Sequence, residues 1–132
     1  MSKETIKCTD DNIKQVVEEQ VELLGNEADL NHLDVNGVTN MKYVFSRSEF
    51  NGDISKWNVS DVTLMESMFY KSTFNNDISR WDVSSVSDMS DMFSVSKFSS
   101  DISKWDVSKV TDADNMFWRC SIIEENMPGL DW

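Results

Sequence analysis

The side chains best suited to binding chemistry recur in this chain at a spacing of 24 residues. One row carries a base in each copy and the neighbouring row an acid or an amide; these two rows are Lys56, Arg80, Lys104 and Asn58, Asp82, Asp106. Like groups repeated along an array can bind an extended partner, whereas catalysis needs unlike groups that converge on one point. The rows therefore predict a docking surface. The alternative is that they neutralise each other on an exposed sheet, at about 0.2 to 1 kcal/mol per pair.

The sequence lacks the usual signatures of an enzyme. His32 is the one histidine, and there is no glycine-rich phosphate loop, no cluster of metal ligands and no nucleophile beside a base. We therefore expect no catalytic residue, no cofactor and no metal. A column of acids, Asp29, Asp53, Asp77 and Asp101, supplies one carboxylate per copy and lacks the glycine of a calcium loop, so these side chains are expected to cap turns.

These rows exist because most of the chain is one unit copied four times, over residues 29–52, 53–76, 77–100 and 101–124. The apolar residues Ile54, Trp57, Val59 and Val62 have the L-x-x-L-x-L spacing of a leucine-rich repeat, which predicts one short strand per copy. A hydroxyl residue such as Thr63 follows each strand and predicts the start of a helical turn. The expected fold is an α/β repeat solenoid of leucine-rich-repeat type, with short parallel strands, short helical turns and an N-terminal capping helix.

The flanks of the repeats are predicted to close them. Residues 1–28 contain a helix expected from Asp10 to Leu24, with Thr9 as the N-cap and Gly25 in the C′ position. The simplest role for this helix is to cap the first open edge, and the alternative is a helix that binds a partner. Residues 125–132 are expected to form a C-terminal cap.

The repeated motifs resemble a known family. Asp-Ile-Ser-Lys-Trp-Asp-Val-Ser-x-Val-Thr-x-Met and Met-Phe-x-x-Ser-x-Phe look like the BspA-like leucine-rich repeats, also known as a Mycoplasma-type domain of unknown function, over residues 29–124. The resemblance implies a bacterial surface protein that attaches to host proteins or to other cells. Because the sequence shows no signal peptide, lipid-attachment cysteine or wall anchor, we expect a cytoplasmic location, with the cell surface as the alternative.

The tryptophans divide into two groups. Trp57, Trp81 and Trp105 recur with the repeat and are either core residues or an interface, with the core favoured. Trp118 stands in a column otherwise occupied by Ser46, Tyr70 and Ser94, which makes it the candidate for an exposed aromatic contact. Methionine and phenylalanine pairs at helical spacing are expected in the core.

Charge limits the choice of partner. Twenty-four acidic and twelve basic residues give a formal charge of −12, which disfavours direct binding to nucleic acid or to an anionic membrane. No run approaches about 18 consecutive apolar residues, so no membrane span is expected. Cys8 and Cys120 are interpreted as free thiols. An acidic surface is predicted from Asp10, Asp11, Glu18, Glu19, Glu22, Asp61, Glu66, Asp88, Asp91, Asp112 and Asp114.

Three functions follow from these features. The leading hypothesis is a non-enzymatic protein-binding module, a small intracellular inhibitor or adaptor. The second is an acidic mimic of nucleic acid, of the kind carried by phages and mobile elements, which would block the basic groove of a nucleic-acid-handling protein. The third is a bacterial surface adhesion protein.

Overall fold

Regular secondary structure is sparse in this protein. The computed structural model describes residues 3–130. Strands β1 (Ile6–Lys7) and β2 (Leu33–Asp34) form a two-stranded parallel sheet in which Ile6 lies opposite Leu33. Helix α1 spans Ile13–Leu24, and a 3-10 turn spans Glu124–Asn126. The rest of the described chain consists of turns, bends and extended segments joined by isolated bridges between residues 24 apart.

The predicted α/β repeat solenoid of leucine-rich-repeat type is wrong. Within residues 3–130, α1 is the one α-helix and β1 and β2 are the strands. Strands and helices therefore do not alternate every 24 residues, as the prediction required. The strand expected around Val59 is absent, and turns at residues 55–56 and 60–61 flank the short segment that contains it. The helical turn expected after Thr63 is absent as well.

Left-handed backbone explains why no helices form after the hydroxyl residues. Tyr43 and Arg47 have φ angles of 64° and 60°. The same conformation recurs in later copies at Ser67, Lys71, Asp91, Val95, Asn115 and Arg119. A right-handed helix needs negative φ throughout, so left-handed residues four positions apart interrupt it. Each segment instead makes tight turns, in which Val44 N–H donates to Met41 O and Ser46 N–H donates to Tyr43 O.

Alternate amides in these segments bond to the next copy. The N–H groups of residues 41, 43, 45 and 47 donate to the carbonyls of residues 64, 66, 68 and 70 over 2.7 to 3.2 Å. The same pattern joins residues 65–71 to 88–94, and residues 89–95 to 112–118. We call segments 41–47, 65–71, 89–95 and 113–119 the turn ladder. Every one of these bonds between segments runs from an N–H to a carbonyl later in the chain, so all the hydrogen bonds of the ladder point in the same direction.

The core follows the 24-residue period closely. Phe45, Phe69 and Phe93 stack with ring centroids 5.4 Å apart. The rings of Trp57, Trp81 and Trp105 stack at 6.4 Å and are 4 to 5% exposed, which confirms the prediction that they belong to the core. Each indole N–H donates to a backbone carbonyl 27 residues earlier, at Leu30, Ile54 and Ile78, over 3.0 to 3.1 Å. The buried ring nitrogens are therefore satisfied.

Helix α1 lies over the first segment of the turn ladder. It begins at Ile13, three residues after the expected start, and its N-cap is Asn12 rather than the predicted Thr9. The Asn12 side chain makes no capping bond to the helix and instead accepts the Thr9 N–H at 2.7 Å. It ends at Leu24 as predicted, and Gly25 is the C-cap rather than the C′ residue, with a φ of 99° and its N–H donated to Val21 O. Ile13 and Val17 are buried in the common core.

The C-terminal cap is described only in part, because Asp131 and Trp132 lie outside the described residues. Asn126 closes one side of the last copy: its carbonyl accepts the Ile102 N–H at 3.0 Å and its side-chain amide donates to Ser99 O at 3.1 Å. These bonds join the C-terminal segment to the last copy, and Met127 and Leu130 of that segment lie beside the last ladder segment.

Candidate partner-binding surfaces

The predicted base row is exposed. Lys56, Arg80 and Lys104 are all exposed, and none has a carboxylate oxygen within 4.0 Å in the described part of the chain. The ion pairs that do form there join Lys7 to Asp34, Lys14 to Glu18 and Lys42 to Glu66. The base row therefore makes no direct ion pair among residues 3–130, although the charges of Lys56, Arg80 and Lys104 help to lower the pKa values of the acids three residues earlier.

The neighbouring row serves the local backbone. The side-chain oxygens of Asn58, Asp82 and Asp106 accept the N–H two residues further on, at 3.0 to 3.1 Å. This is an Asx turn, in which a short polar side chain replaces a backbone acceptor. These residues do not lie on a sheet as the sequence suggested, because the short strand predicted for each copy is absent. They are nevertheless exposed beside the base row.

The column of acids that begins each copy caps turns, as predicted. Asp53, Asp77 and Asp101 each accept the N–H two residues further on at 2.9 Å. Hydrogen bonds from Ser55 lower the pKa of Asp53, and hydrogen bonds from Ser79 lower that of Asp77. Donors to a carboxylate favour its charged form, so Asp53 and Asp77 carry negative charge at neutral pH.

Asp10, one of the predicted acidic-surface residues, closes the first end of the structure. Its carboxylate accepts the Thr39 N–H at 2.7 Å, the Thr39 hydroxyl at 2.6 Å and the Asn40 N–H at 3.2 Å. One copy later, the Thr39 carbonyl accepts the same three donors from Thr63 and Leu64. Asp10 thus takes the place of a carbonyl from a preceding copy, and the Thr39 hydroxyl lowers its pKa.

Other members of the predicted acidic surface are also engaged. Glu18 pairs with Lys14 at 3.1 Å, Glu19 accepts the side-chain amide of Gln15, and Glu66 lies 3.7 Å from Lys42. Asp88 and Asp112 cap turns at the N–H groups of Ser90 and Asp114. Asp11, Glu22, Asp61 and Asp114 are exposed, and Asp91 is half-buried. Several of the predicted acidic residues therefore bind other groups of the same chain, and the set does not form one continuous surface of free carboxylates.

A feature that sequence reasoning missed is the open side of the last ladder segment. Ala113, Met116, Phe117, Met127 and Leu130 line a groove of about 680 Å³. One of its lining residues, Ala113, stands where the earlier copies have buried Met41, Met65 and Met89. The alanine that replaces methionine at position 113 was the feature of the sequence from which this groove could have been predicted.

Trp118 lies at the rim of this groove and is 51% exposed, as its break with the serine and tyrosine column predicted. The Arg119 guanidinium lies 4.6 Å from the centre of its ring. The aromatic contact predicted at Trp118 is therefore adjacent to the groove, away from the base row.

The remaining reactive side chains form no site. Among residues 3–130, no three histidine, cysteine or acidic residues come together as metal ligands. Cys8 and Cys120 are free, and burial raises the pKa of the Cys8 thiol. His32 is half-buried with Nε2 2.8 Å from Gln20 Oε1 on α1, and burial lowers its pKa. His32 is therefore packed under α1, whereas Lys56, one copy further on, is exposed.

Together these features define a turn-rich protein whose backbone contacts, core rings and exposed side chains recur every 24 residues. Residues 11–130 match the family described as a Mycoplasma protein of unknown function, DUF285, and the chain belongs to that family. Comparison with curated proteins and with solved structures found no match. Within residues 3–130, no helix is long and apolar enough to cross a membrane.

Proposed function

We propose that this chain is a non-enzymatic protein-binding module that holds its partner through the base row and the acids beside it. The observation that carries the proposal is that Lys56, Arg80 and Lys104 are exposed and make no direct ion pair with any residue from 3 to 130. Ammonium and guanidinium groups that are not bound internally keep their donors available for carboxylates or carbonyls of another chain.

The surface that carries the base row is held rigidly. The Trp57, Trp81 and Trp105 rings stack beneath it and are tied by hydrogen bonds to the backbone of the preceding copy. Asx turns fix the residues on both sides of each base. A surface that is already ordered loses less conformational entropy on binding, which favours affinity.

The motif likeness to BspA-like proteins supports a binding role and leaves two settings for it. The leading proposal is a small intracellular inhibitor or adaptor. The alternative is an adhesive protein at the cell surface, which the attachment role of that family favours. Fractionation of cells that produce the native protein distinguishes them: recovery only with the envelope would overturn the intracellular proposal.

The test is capture of partners from a nuclease-treated cytosolic extract by the tagged chain and two triple variants. In one variant Lys56, Arg80 and Lys104 are replaced by glutamate. In the control, the exposed residues Arg47, Lys71 and Lys97 are replaced by glutamate, so both variants change the formal charge equally. We expect capture by the native chain and the control and loss of capture by the base-row variant. Equal capture by both variants would contradict the proposal.

A second candidate, the acidic mimic of nucleic acid, is favoured by the regular columns of charged acids. Asp53, Asp77 and Asp101 are oriented by their turns, and their pKa values are lowered. Mimicry requires that nucleic acid competes with the chain and that affinity falls steeply between low salt and about 300 mM salt, where charges are screened within a few ångströms. Capture that persists at the higher salt would exclude it. The base row between the acid columns weakens this candidate.

A further inference from the structure

Two asparagine–glycine pairs occur in the sequence, Asn36–Gly37 and Asn51–Gly52. Such a pair can react within itself, because glycine has no side chain to keep its amide nitrogen away from the carbonyl carbon of the asparagine side chain. The reaction requires that the asparagine side chain and the peptide unit after it can rotate towards each other. The structure gives the two pairs opposite surroundings, although their local chemistry is the same.

The first pair lies in an exposed turn. Asn36 and Gly37 are both exposed, and one hydrogen bond closes the turn, from the Val38 N–H to Val35 O at 3.0 Å. Within residues 3–130 the side-chain amide of Asn36 makes no hydrogen bond, since the bonds of this residue involve its backbone. A Cβ placed on Gly37 would have no atom within 4 Å. The side chain of Asn36 is therefore free to rotate towards the Gly37 nitrogen.

The second pair is held by neighbouring copies. The Asn51 Oδ1 atom accepts the Asn75 N–H at 2.8 Å and the Asn76 side-chain N–H at 3.2 Å. The Asn76 amide also donates to the Asn51 carbonyl at 2.7 Å. Gly52 is buried, and a Cβ placed on it would clash with the Ala28 carbonyl oxygen. Neither the side chain nor the peptide unit can rotate unless contacts between copies open.

The turn at Asn36 does not require an asparagine. The later copies close the equivalent turn with the same backbone bond, from Val62, Val86 and Val110 to the residues three positions earlier. The residues that stand in place of Asn36 there are Ser60, Ser84 and Ser108. A serine cannot undergo the reaction, so the reactive pair is a feature of the first copy.

We propose that Asn36 is a site of spontaneous deamidation and that the fold protects Asn51 from the same reaction. The Gly37 nitrogen bonds to the side-chain carbonyl carbon of Asn36 and closes a succinimide ring. The bond from that carbon to the side-chain nitrogen breaks, and this nitrogen leaves as ammonia with the proton that Gly37 has lost. Water then opens the ring at either carbonyl and yields aspartate or isoaspartate at position 36. The reaction does not depend on the proposed function.

The two products affect the first copy differently. Aspartate adds a carboxylate and leaves the main chain unchanged. Isoaspartate routes the main chain through the former side chain and lengthens it by a methylene group, so the Val38 N–H loses its place opposite Val35 O. The turn leads into Thr39, which Asp10 holds at the first end of the structure. We therefore expect the isoaspartate form to be less stable than the aspartate form.

The test follows deamidation of the full chain in mildly alkaline buffer, with and without concentrated urea, by trypsin digestion and tandem mass spectrometry. Trypsin places the two pairs in separate peptides, residues 15–42 and 48–56. In the folded chain Asn36 should convert at least about tenfold faster than Asn51, the factor expected from the two hydrogen bonds that Asn51 Oδ1 must lose. In urea the two rates should become similar, because the contacts between copies are absent there.

Asn36→Gln is the matched variant, because glutamine keeps the amide but must close a larger ring. Its peptide 15–42 should gain almost no acid, while conversion of Asn51 stays unchanged. A second measurement compares the two product forms of the aged native chain, separated by ion exchange, with Asn36→Asp as the reference for the aspartate form. The isoaspartate form should unfold at a lower urea concentration than the other two.

Equal rates at Asn36 and Asn51 in the folded chain would overturn the inference, as would a faster reaction at Asn51. The same ratio of rates in urea and in buffer would also overturn it, because the flanking sequence rather than the fold would then decide the reactivity. Undiminished conversion of peptide 15–42 in Asn36→Gln would assign the reaction to another asparagine. Equal unfolding of the two product forms would contradict the expected effect on the first copy. Partner capture by the base row is measured separately, so the proposed function stands or fails independently of these results.

Discussion

The first and last segments of the turn ladder share the same left-handed backbone positions but differ in the groups that cover them. At the first end, the Asp10 carboxylate replaces a missing carbonyl and α1 buries Val17 against the core. At the last end, the Ala113, Asn115 and Arg119 N–H groups have no acceptor in residues 3–130 and Phe117 is only partly buried. An array of like units has no intrinsic end, so individual side chains decide which end is closed and which stays available.

The largest expected difference between the ends lies in their phenylalanines. Phe45 is 1% exposed and contacts four aromatic rings, so Phe45→Ala should lower the free energy of unfolding by about 3 to 5 kcal/mol. Phe117 stacks on Phe93 at 5.8 Å, and its partial exposure should limit the loss in Phe117→Ala to about half as much. Urea unfolding followed by tryptophan fluorescence measures both, and equal losses would mean that the two ends are packed alike.

The cap at the first end gives the next largest effect. Asp10→Ala removes the acceptor for three donors and should lower the free energy of unfolding by about 1 to 2 kcal/mol, as at helix N-caps, because the site is largely open to water. The side chain of the exposed Asp114 at the last end accepts no such bonds from residues 3–130, so Asp114→Ala should change stability by less than about 0.5 kcal/mol.

The same cap predicts a dependence on pH. The folded-state pKa of Asp10 is lowered, so its contribution is complete above the unfolded value of about 3.9 and is lost as pH falls through the folded value. Unfolding curves of the native chain should therefore show a steeper loss of stability below about pH 4 than those of Asp10→Ala. Parallel losses in the two proteins would show that Asp10 is not a cap.

Filling the open end should have a smaller effect of opposite sign. Ala113→Met places a methionine where the groove now lies and should raise the free energy of unfolding by about 1 kcal/mol. Thermal unfolding measures the gain. A loss of stability would show that the last segment cannot accept the methionine of the earlier copies, and that the groove is not simply a missing side chain.

The sequence was sufficient for features that depend on the period and on short-range chemistry. The 24-residue spacing predicted the Trp57 column in the core, turn capping by Asp53 and exposure of Trp118. Each of these features depends on the preference of one residue type for burial or for a turn, and that preference acts within a few positions or between equivalent residues of neighbouring copies.

The backbone between these positions could not be predicted in the same way. The left-handed positions are occupied by residues such as Tyr43, Lys71 and Val95, and no glycine marks them. β-branched valine is especially unfavourable there, so local preference gave the opposite indication. Apolar spacing alone then favoured helices. Asp10 acts on Thr39, which lies 29 residues away, and no local pattern connects the two.

The smallest effect tests whether the ends also differ in backbone strain. Arg47 and Arg119 occupy equivalent left-handed positions, with φ of 60° and 54°, and each guanidinium lies over an aromatic ring. Glycine relieves about 1 to 2 kcal/mol of left-handed strain and loses about 0.5 to 1 kcal/mol through the greater freedom of the unfolded chain. Loss of the contact with the aromatic ring costs roughly 0.5 to 1 kcal/mol more. Arg47→Gly and Arg119→Gly should therefore both change the free energy of unfolding by less than about 0.5 kcal/mol, while Lys97→Gly, whose φ is not positive, should be destabilising by about 0.5 to 1 kcal/mol. Denaturant midpoints measured side by side resolve these changes. A gain confined to Arg119→Gly would show that the capped end holds its backbone without strain, and that the two ends differ in conformation as well as in the side chains that close them.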